Sequence, residues 1–204
     1  MVRVKICGIT NAKDAEDAVS FGADALGFIF AKSPRRIAPA EARKIIKTLG
    51  PWVAAVGVFV NESPEKIKRI ASFCGLSVIQ LHGDESPADV KKLSDFKLIK
   101  AFRVGEGFDF SFLRKYAVDA FLFDTKIEGL FGGSGRKFDW NVLKSKKMGK
   151  PLILSGGLDP SNVRKAVSLL FPYGVDVSSG VERSPGKKDS EKVKEFIRNA
   201  KKAA

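Results

Sequence analysis

Val2-Arg3-Val4-Lys5-Ile6-Cys7-Gly8-Ile9-Thr10 reads as a short strand that ends in a thiol and a glycine. Side chains alternate across a strand, so Val2, Val4 and Ile6 share one face while Arg3, Lys5 and Cys7 share the other. A strand covered on both faces does not carry charge cheaply, because a buried charge needs a partner or a purpose. The polar face of this strand therefore marks a place in the fold where charge is put to use.

Working outward, a β-rich run followed by an amphipathic, helix-prone stretch recurs eight times. Strands are expected at 2–7, 25–30, 53–60, 77–82, 97–104, 120–125, 151–155 and 174–178. Helices are expected between and after them, at 11–21, 39–49, 64–73, 87–93, 109–116, 140–147, 160–171 and 189–201. Ser63, Ser86 and Asp159 each stand before a proline, a capping side chain ahead of a first-turn Pro. Strand–helix alternation implies parallel neighbours joined by right-handed crossovers. Eight such units fit a closed (β/α)8 TIM barrel with a parallel eight-stranded sheet, a single domain over residues 1–204 at the small end of that fold. An open doubly wound sheet is the weaker alternative, since no GxGxxG follows the first strand.

The composition narrows the function. The net charge of +13 suits an anionic small ligand, a nucleic acid or a lysine-rich surface. The basic residues are scattered, and pairs such as Lys91-Lys92 and Lys187-Lys188 lack the interleaved aromatics of a single-strand binding platform. They read as solvated, and neither a nucleic-acid nor a membrane partner is expected. No apolar run approaches the ~20 residues that span a bilayer, and the charged start lacks a signal-peptide core, so a cytoplasmic protein is expected. Of the two cysteines, Cys7 ends a strand and Cys74 ends a helix, at opposite barrel ends. A strand separates those ends by about 17–20 Å, far beyond the ~7 Å a disulfide allows. Both are expected to be free thiols.

In a (β/α)8 barrel the chemistry stands at the C-terminal ends of the strands. Those ends offer Cys7, Arg35 and Arg36, Gln80 and His82, Asp124, the Ser155-Gly156-Gly157 turn, and Asp176 with Ser178-Ser179-Gly180. Gln80 with His82, and Asp176 with Ser178, share a face in pairs. The glycine turns after strands seven and eight fall where such barrels commonly hold a phosphate on backbone N–H groups. A third glycine-rich piece, Gly132-Gly133-Ser134-Gly135, sits in the long segment after strand six and reads as a cover over the site. Cys7 and Asp124, on strands one and six, are the natural reacting pair, placed so that a substrate lying across the mouth could meet a base on one side and an acid on the other. Lys5, one step below Cys7 on the same face, is expected to pair with Asp176 where strand eight closes against strand one.

These residues together resemble the phosphoribosylanthranilate isomerase family of tryptophan biosynthesis. The likeness is carried by Lys5-Ile6-Cys7-Gly8-Ile9-Thr10, Gly22-Ala23-Asp24-Ala25-Leu26-Gly27-Phe28, Ser33-Pro34-Arg35, Val56-Gly57-Val58-Phe59-Val60-Asn61, Gln80-Leu81-His82-Gly83, Phe123-Asp124-Thr125, Gly132-Gly133-Ser134-Gly135, Leu154-Ser155-Gly156-Gly157-Leu158 and Asp176-Val177-Ser178-Ser179-Gly180-Val181-Glu182. It covers almost the whole chain; the stretch 102–118 carries nothing diagnostic. The resemblance implies an Amadori rearrangement with Cys7 as general base and Asp124 as general acid, and needs neither a metal nor an organic cofactor. It also implies that Arg35 takes the anthranilate carboxylate, while Gly156, Gly157, Ser179 and Gly180 receive the phosphate. The family pattern has a bulky uncharged residue after that arginine, whereas this chain has Arg36, which leaves two guanidinium groups for one carboxylate. The expected partner is the small phosphosugar–anthranilate substrate, and the oligomer is either a monomer or a homodimer. Another phosphate-binding barrel of amino-acid biosynthesis is the nearest alternative, and a basic RNA-binding protein the alternative of a different class.

Overall fold

Eight parallel strands hydrogen-bond in sequence order and close on themselves, β8 returning to β1. The computed structural model describes residues 1–105, 107–125, 140–144, 146 and 148–203. The strands are β1 (Arg3–Cys7), β2 (Ala25–Ile29), β3 (Ala54–Phe59), β4 (Val78–Leu81), β5 (Lys97–Val104), β6 (Ala120–Thr125), β7 (Leu152–Leu154) and β8 (Gly174–Val177). The expected (β/α)8 barrel is therefore present. Its seam sets Lys5 opposite Ala25 on one side and Asp176 on the other.

Alternation divides each strand between two apolar compartments. Val56, Ile99, Ala101, Ala120, Leu122 and Ile153 meet inside the barrel, with Ala25 and Val78 against them. Val4, Ile6, Leu26, Phe28, Leu81, Phe121, Phe123 and Val175 point outward beneath the helices. Phe28, Phe121 and Phe123 are fully buried there, each contributing about 1.5–3 kcal/mol relative to exposure. The inner cluster contains no side chain from β1 or β8. That sector is filled by Lys5 and Asp176 instead, both buried.

The helices are α1 (Ala12–Ser20), α2 (Pro39–Ile46), α3 (Pro64–Cys74), α4 (Pro87–Lys91), α5 (Val163–Leu170) and α6 (Ser190–Lys201). Ser63 and Ser86 cap as their positions imply, each accepting from the backbone N–H three residues on. Asp159 differs. Its carboxylate accepts from the N–H groups of Ser161 and Asn162, closing a local turn, so the α-helix proper starts only at Val163. Two expected helices are short 3₁₀ segments, Phe110–Lys115 and Trp140–Leu143. The first is shaped by local competition: Asp109 takes both the N–H and the hydroxyl of Ser111, which ties the backbone into a tight start. It is then held by aromatic packing, with Phe102 at the centre of rings from Phe108, Phe112, Tyr116, Phe121 and Phe123.

After β8 the chain makes a 3₁₀ turn (Ser179–Val181) and a small antiparallel ribbon, β9 (Glu182–Ser184) with β10 (Lys187–Lys188). This ribbon is not among the elements expected from the sequence. Both cysteines are buried free thiols, Cys7 at the top of β1 and Cys74 closing α3, where its Sγ faces the Pro39 carbonyl at 3.4 Å. Among the described residues no helix is long and apolar enough to cross a membrane.

Candidate active site

The strand that opens the chain supplies one side of the site. Lys5 Nζ donates to Asp176 Oδ1 at 2.7 Å across the β1–β8 seam, the pairing expected from closure of the barrel. The second carboxylate oxygen of Asp176 accepts from Ser155 Oγ at 3.1 Å. This ties the turn after β7 to the base of β1. Cys7 stands above Lys5 and is 5% exposed. Gly27 on β2 makes the room: a Cβ there would lie 2.6 Å from Cys7 Sγ and 3.1 Å from Lys5 Cε.

Burial and charge oppose one another at this thiol. Burial pushes the Cys7 pKa up, while Lys5 and Lys188 pull it down, and burial wins. In the unliganded protein Cys7 is thus held as a thiol more firmly than an ordinary cysteine. For Lys5 the balance is reversed. Burial works to lower its pKa, but Asp176 and Cys7 beside it carry it above the ordinary lysine value.

The other side of the mouth, around Asp124, is more open. Asp124 shares the inward parity of Ala120 and Leu122 on β6, and His82 Nε2 lies 3.3 Å from its Oδ2. Behind it, the Gln80 amide nitrogen reaches His82 Nδ1 at 2.8 Å. This contact sets the ring so that Nε2 faces Asp124. The turn that carries His82 is braced from outside the barrel. Glu85 accepts from the N–H groups of Asn61 and Gly83, and Lys100 Nζ bonds both Glu85 at 3.1 Å and the Gly83 carbonyl at 2.8 Å. Burial draws the Lys100 pKa down despite Glu85. A cavity of about 460 Å³ adjoins His82, walled by Phe102, Arg103, Phe108, Phe112 and Tyr116.

The two glycine turns meet. Gly156 and Gly157 both take positive φ, 83° and 65°, a left-handed pair that side chains would strain. Asn162 secures the turn by donating to the Gly157 carbonyl at 2.8 Å. Gly180, in the 3₁₀ turn after β8, packs so tightly on the Leu158 carbonyl that any Cβ would collide with it. The buried Ser178 hydroxyl beside them has no hydrogen-bond partner among the described residues.

Arg35 and Arg36 part ways. Arg36 is exposed, its backbone bridged to Ile29. Arg35 turns toward the end of β8, where its Nε and Nη2 grip Glu182 at 2.9 and 2.8 Å. Lys188 also binds Glu182, at 3.0 Å, and donates to the Ser178 carbonyl at 3.1 Å. Lys188 is 3% exposed, which corrects the reading of Lys187-Lys188 as a solvated pair. Folding the β9–β10 ribbon back against α1 buries it: its backbone N–H donates to Asp14 Oδ2 at 2.8 Å. Burial tends to raise the Glu182 pKa, but Arg35 and Lys188 hold it below the usual carboxylate value. The only sequence signal for this cluster is the Gly186 turn two residues before Lys188. Gly133, Ser134 and Gly135, and the cover expected from 126–139, lie outside the described residues.

Three comparisons bear on this arrangement. Residues 4–199 match the family model described as N-(5'phosphoribosyl)anthranilate (PRA) isomerase. The chain is 48% identical, over the full length of both chains, to the N-(5'-phosphoribosyl)anthranilate isomerase of Trichlorobacter lovleyi. Its fold is similar to the crystal structure of phosphoribosyl anthranilate isomerase from Thermotoga maritima, with 49% identity, TM-score 0.93, and coverage of 99% of this chain and 100% of that one. A further solved isomerase, 45% identical with TM-score 0.87 and the same coverage, is in complex with reduced 1-(o-carboxyphenylamino)-1-deoxyribulose 5-phosphate.

Proposed function

The chain belongs to the N-(5'-phosphoribosyl)anthranilate isomerase family of tryptophan biosynthesis and is an isomerase, and from that premise we propose that it works by an Amadori rearrangement with Cys7 as general base and Asp124 as general acid. The observation that carries this reading is the placement of a buried thiol at the end of β1 and a half-open carboxyl group at the end of β6, both on the rim of one barrel mouth.

The steps follow from the chemistry of the groups. Asp124 gives its proton to the furanose ring oxygen as the C1′–O bond breaks, and the anthranilate nitrogen lone pair forms the protonated Schiff base. The Cys7 thiolate then takes the C2′ proton. The electrons of that C–H bond form the C1′=C2′ bond and neutralise the nitrogen. The enolamine tautomerises to the 2′-ketone, gaining a proton at C1′ and losing the enol proton. The substrate's own nitrogen is the electron sink, so the scheme asks for no metal or organic cofactor.

Binding of the substrate's two anionic ends suits the remaining groups. The phosphate is taken by the backbone at Gly156, Gly157, Ser179 and Gly180, in the two glycine turns that meet after β7 and β8. The anthranilate carboxylate is taken by Arg35, which faces the end of β8, rather than by the exposed Arg36. Lys5, anchored by Asp176, sits beneath the thiol and with Lys188 supplies positive potential that the Asp176 carboxylate partly offsets, while His82 orients Asp124. A direct test is to add enzymatically generated phosphoribosylanthranilate and follow the loss of its fluorescence. Rapid loss that disappears in Cys7→Ser supports the assignment, and an unchanged rate in that variant refutes it.

A further inference from the structure

Arg35 has two edges on which its guanidinium can pair with a carboxylate: the side edge, from Nε and one Nη, and the end edge, from the two Nη atoms. Glu182 occupies the side edge. Its oxygens lie 2.9 and 3.1 Å from Nε and 2.8 Å from Nη2. We propose that Glu182, held by Lys188 and the β9–β10 ribbon, is the positioning residue that presents the end edge of Arg35 to the aryl carboxylate of the substrate, and so sets the preference for a carboxylated amine. This rests on the assignment of Arg35 to that carboxylate.

Three features make Glu182 a rigid platform rather than a passing surface pair. Its side chain is 5% exposed and that of Lys188 2%. Oε1 accepts from Lys188 Nζ at 3.0 Å and from the Gly186 N–H at 3.3 Å in addition to Arg35, so the carboxylate has no freedom to rotate. The ribbon itself is anchored at both flanks, since Thr10 Oγ1 donates to the Gly186 carbonyl and the Lys188 N–H to Asp14. The β1–α1 segment and α1 are thereby tied to the β9–β10 ribbon, and the ribbon's Glu182 carboxylate ties it to Arg35 on the β2–α2 segment.

The charge count also favours the arrangement. Arg35 and Lys188 contribute two positive charges against the single negative charge of Glu182, which leaves one for an incoming carboxylate. An Arg35 without Glu182 would keep its charge but would sample several rotamers. Affinity would then fall through lost preorganisation rather than through a lost contact with the ligand.

The experiment measures binding of two stable ligands by calorimetry: reduced 1-(o-carboxyphenylamino)-1-deoxyribulose 5-phosphate, and the same compound with phenyl in place of o-carboxyphenyl. The full-length protein is compared with Glu182→Gln, Glu182→Asp and Arg35→Met, with melting curves recorded for each. Gln keeps the shape and an acceptor for Lys188, so it guards against misfolding. For Glu182→Gln we expect about tenfold weaker binding of the carboxylated ligand, about one decade per 1.4 kcal/mol, with the phenyl compound within twofold. Glu182→Asp, which restores charge but not reach, should fall between. Equal loss on both ligands would make Glu182 a brace of the whole mouth and overturn the proposal, as would no loss on either. If Arg35→Met fails to separate the two ligands, the fault lies in the Arg35 assignment itself, and the proposal falls with it.

Discussion

The two sides of the barrel mouth carry their ionisable groups under opposite conditions. On the β1–β8 side, Lys5 and Asp176 are 6% and 5% exposed and pair at 2.7 Å under a thiol that is itself buried. On the β4–β6 side, His82 and Asp124 are 24% and 22% exposed and meet at 3.3 Å. The dry side binds its charges tightly and lifts the thiol pKa. The wetter side keeps Asp124 within reach of solvent, from which, in the proposed mechanism, a proton would be restored after each turnover. A base that works on a C–H bond gains from exclusion of water, whereas an acid that must be recharged gains from access.

The contrast is broken most severely by removing the reacting groups. Cys7→Ser and Asp124→Asn should each lower kcat by about 10²–10⁴-fold, the usual contribution of a positioned acid or base. A far smaller loss in either, measured by substrate fluorescence, would remove that residue from its role.

The dry side can next be opened by unpairing it. Lys5→Met leaves Asp176 buried without its cation and should cost about 3–5 kcal/mol of stability in denaturant unfolding. Lys5→Met with Asp176→Leu should recover much of that, because an apolar pair avoids the unpaired charge. If the single variant is as stable as the parent, the seam is wetter than described.

The thiol gives a pH signature. In the proposed mechanism Cys7 acts as thiolate, and burial has raised its pKa, so the rising limb of kcat/KM should lie above the free-cysteine value of about 8.5. Lys5→Met removes a positive neighbour and should move that limb still higher. A limb below 8.5 in the parent would show that Lys5 and Lys188 outweigh burial. The smallest effect belongs outside both regions: Arg3→Ala breaks only an exposed pair with Asp24 and should change stability by about 0–1 kcal/mol.

The barrel was legible in the sequence because each strand ends near a turn signal and α1, α3, α4 and α6 begin with a capping side chain, so period and punctuation largely agree. The Lys5–Asp176 pair was legible too, since closure of the sheet forces strand eight onto strand one. Other features were hidden for physical reasons. The segment 109–116 has helical spacing, but the Asp109–Ser111 bonds and the Phe102 ring cluster settle it as a 3₁₀ turn. Lys188 reads as one of many surface lysines, and only the ribbon's fold against Asp14 and Glu182 buries it. The choice between Arg35 and Arg36 likewise depends on which faces Glu182, a residue 147 positions away from Arg35.

The measurement closest to the central claim is single-turnover conversion of phosphoribosylanthranilate by the parent, Cys7→Ser and Asp124→Asn, with binding of the reduced product analogue measured alongside. Both variants should bind the analogue within a few-fold of the parent yet convert substrate at least about a hundredfold more slowly. Conversion by Cys7→Ser at the parental rate would contradict the account.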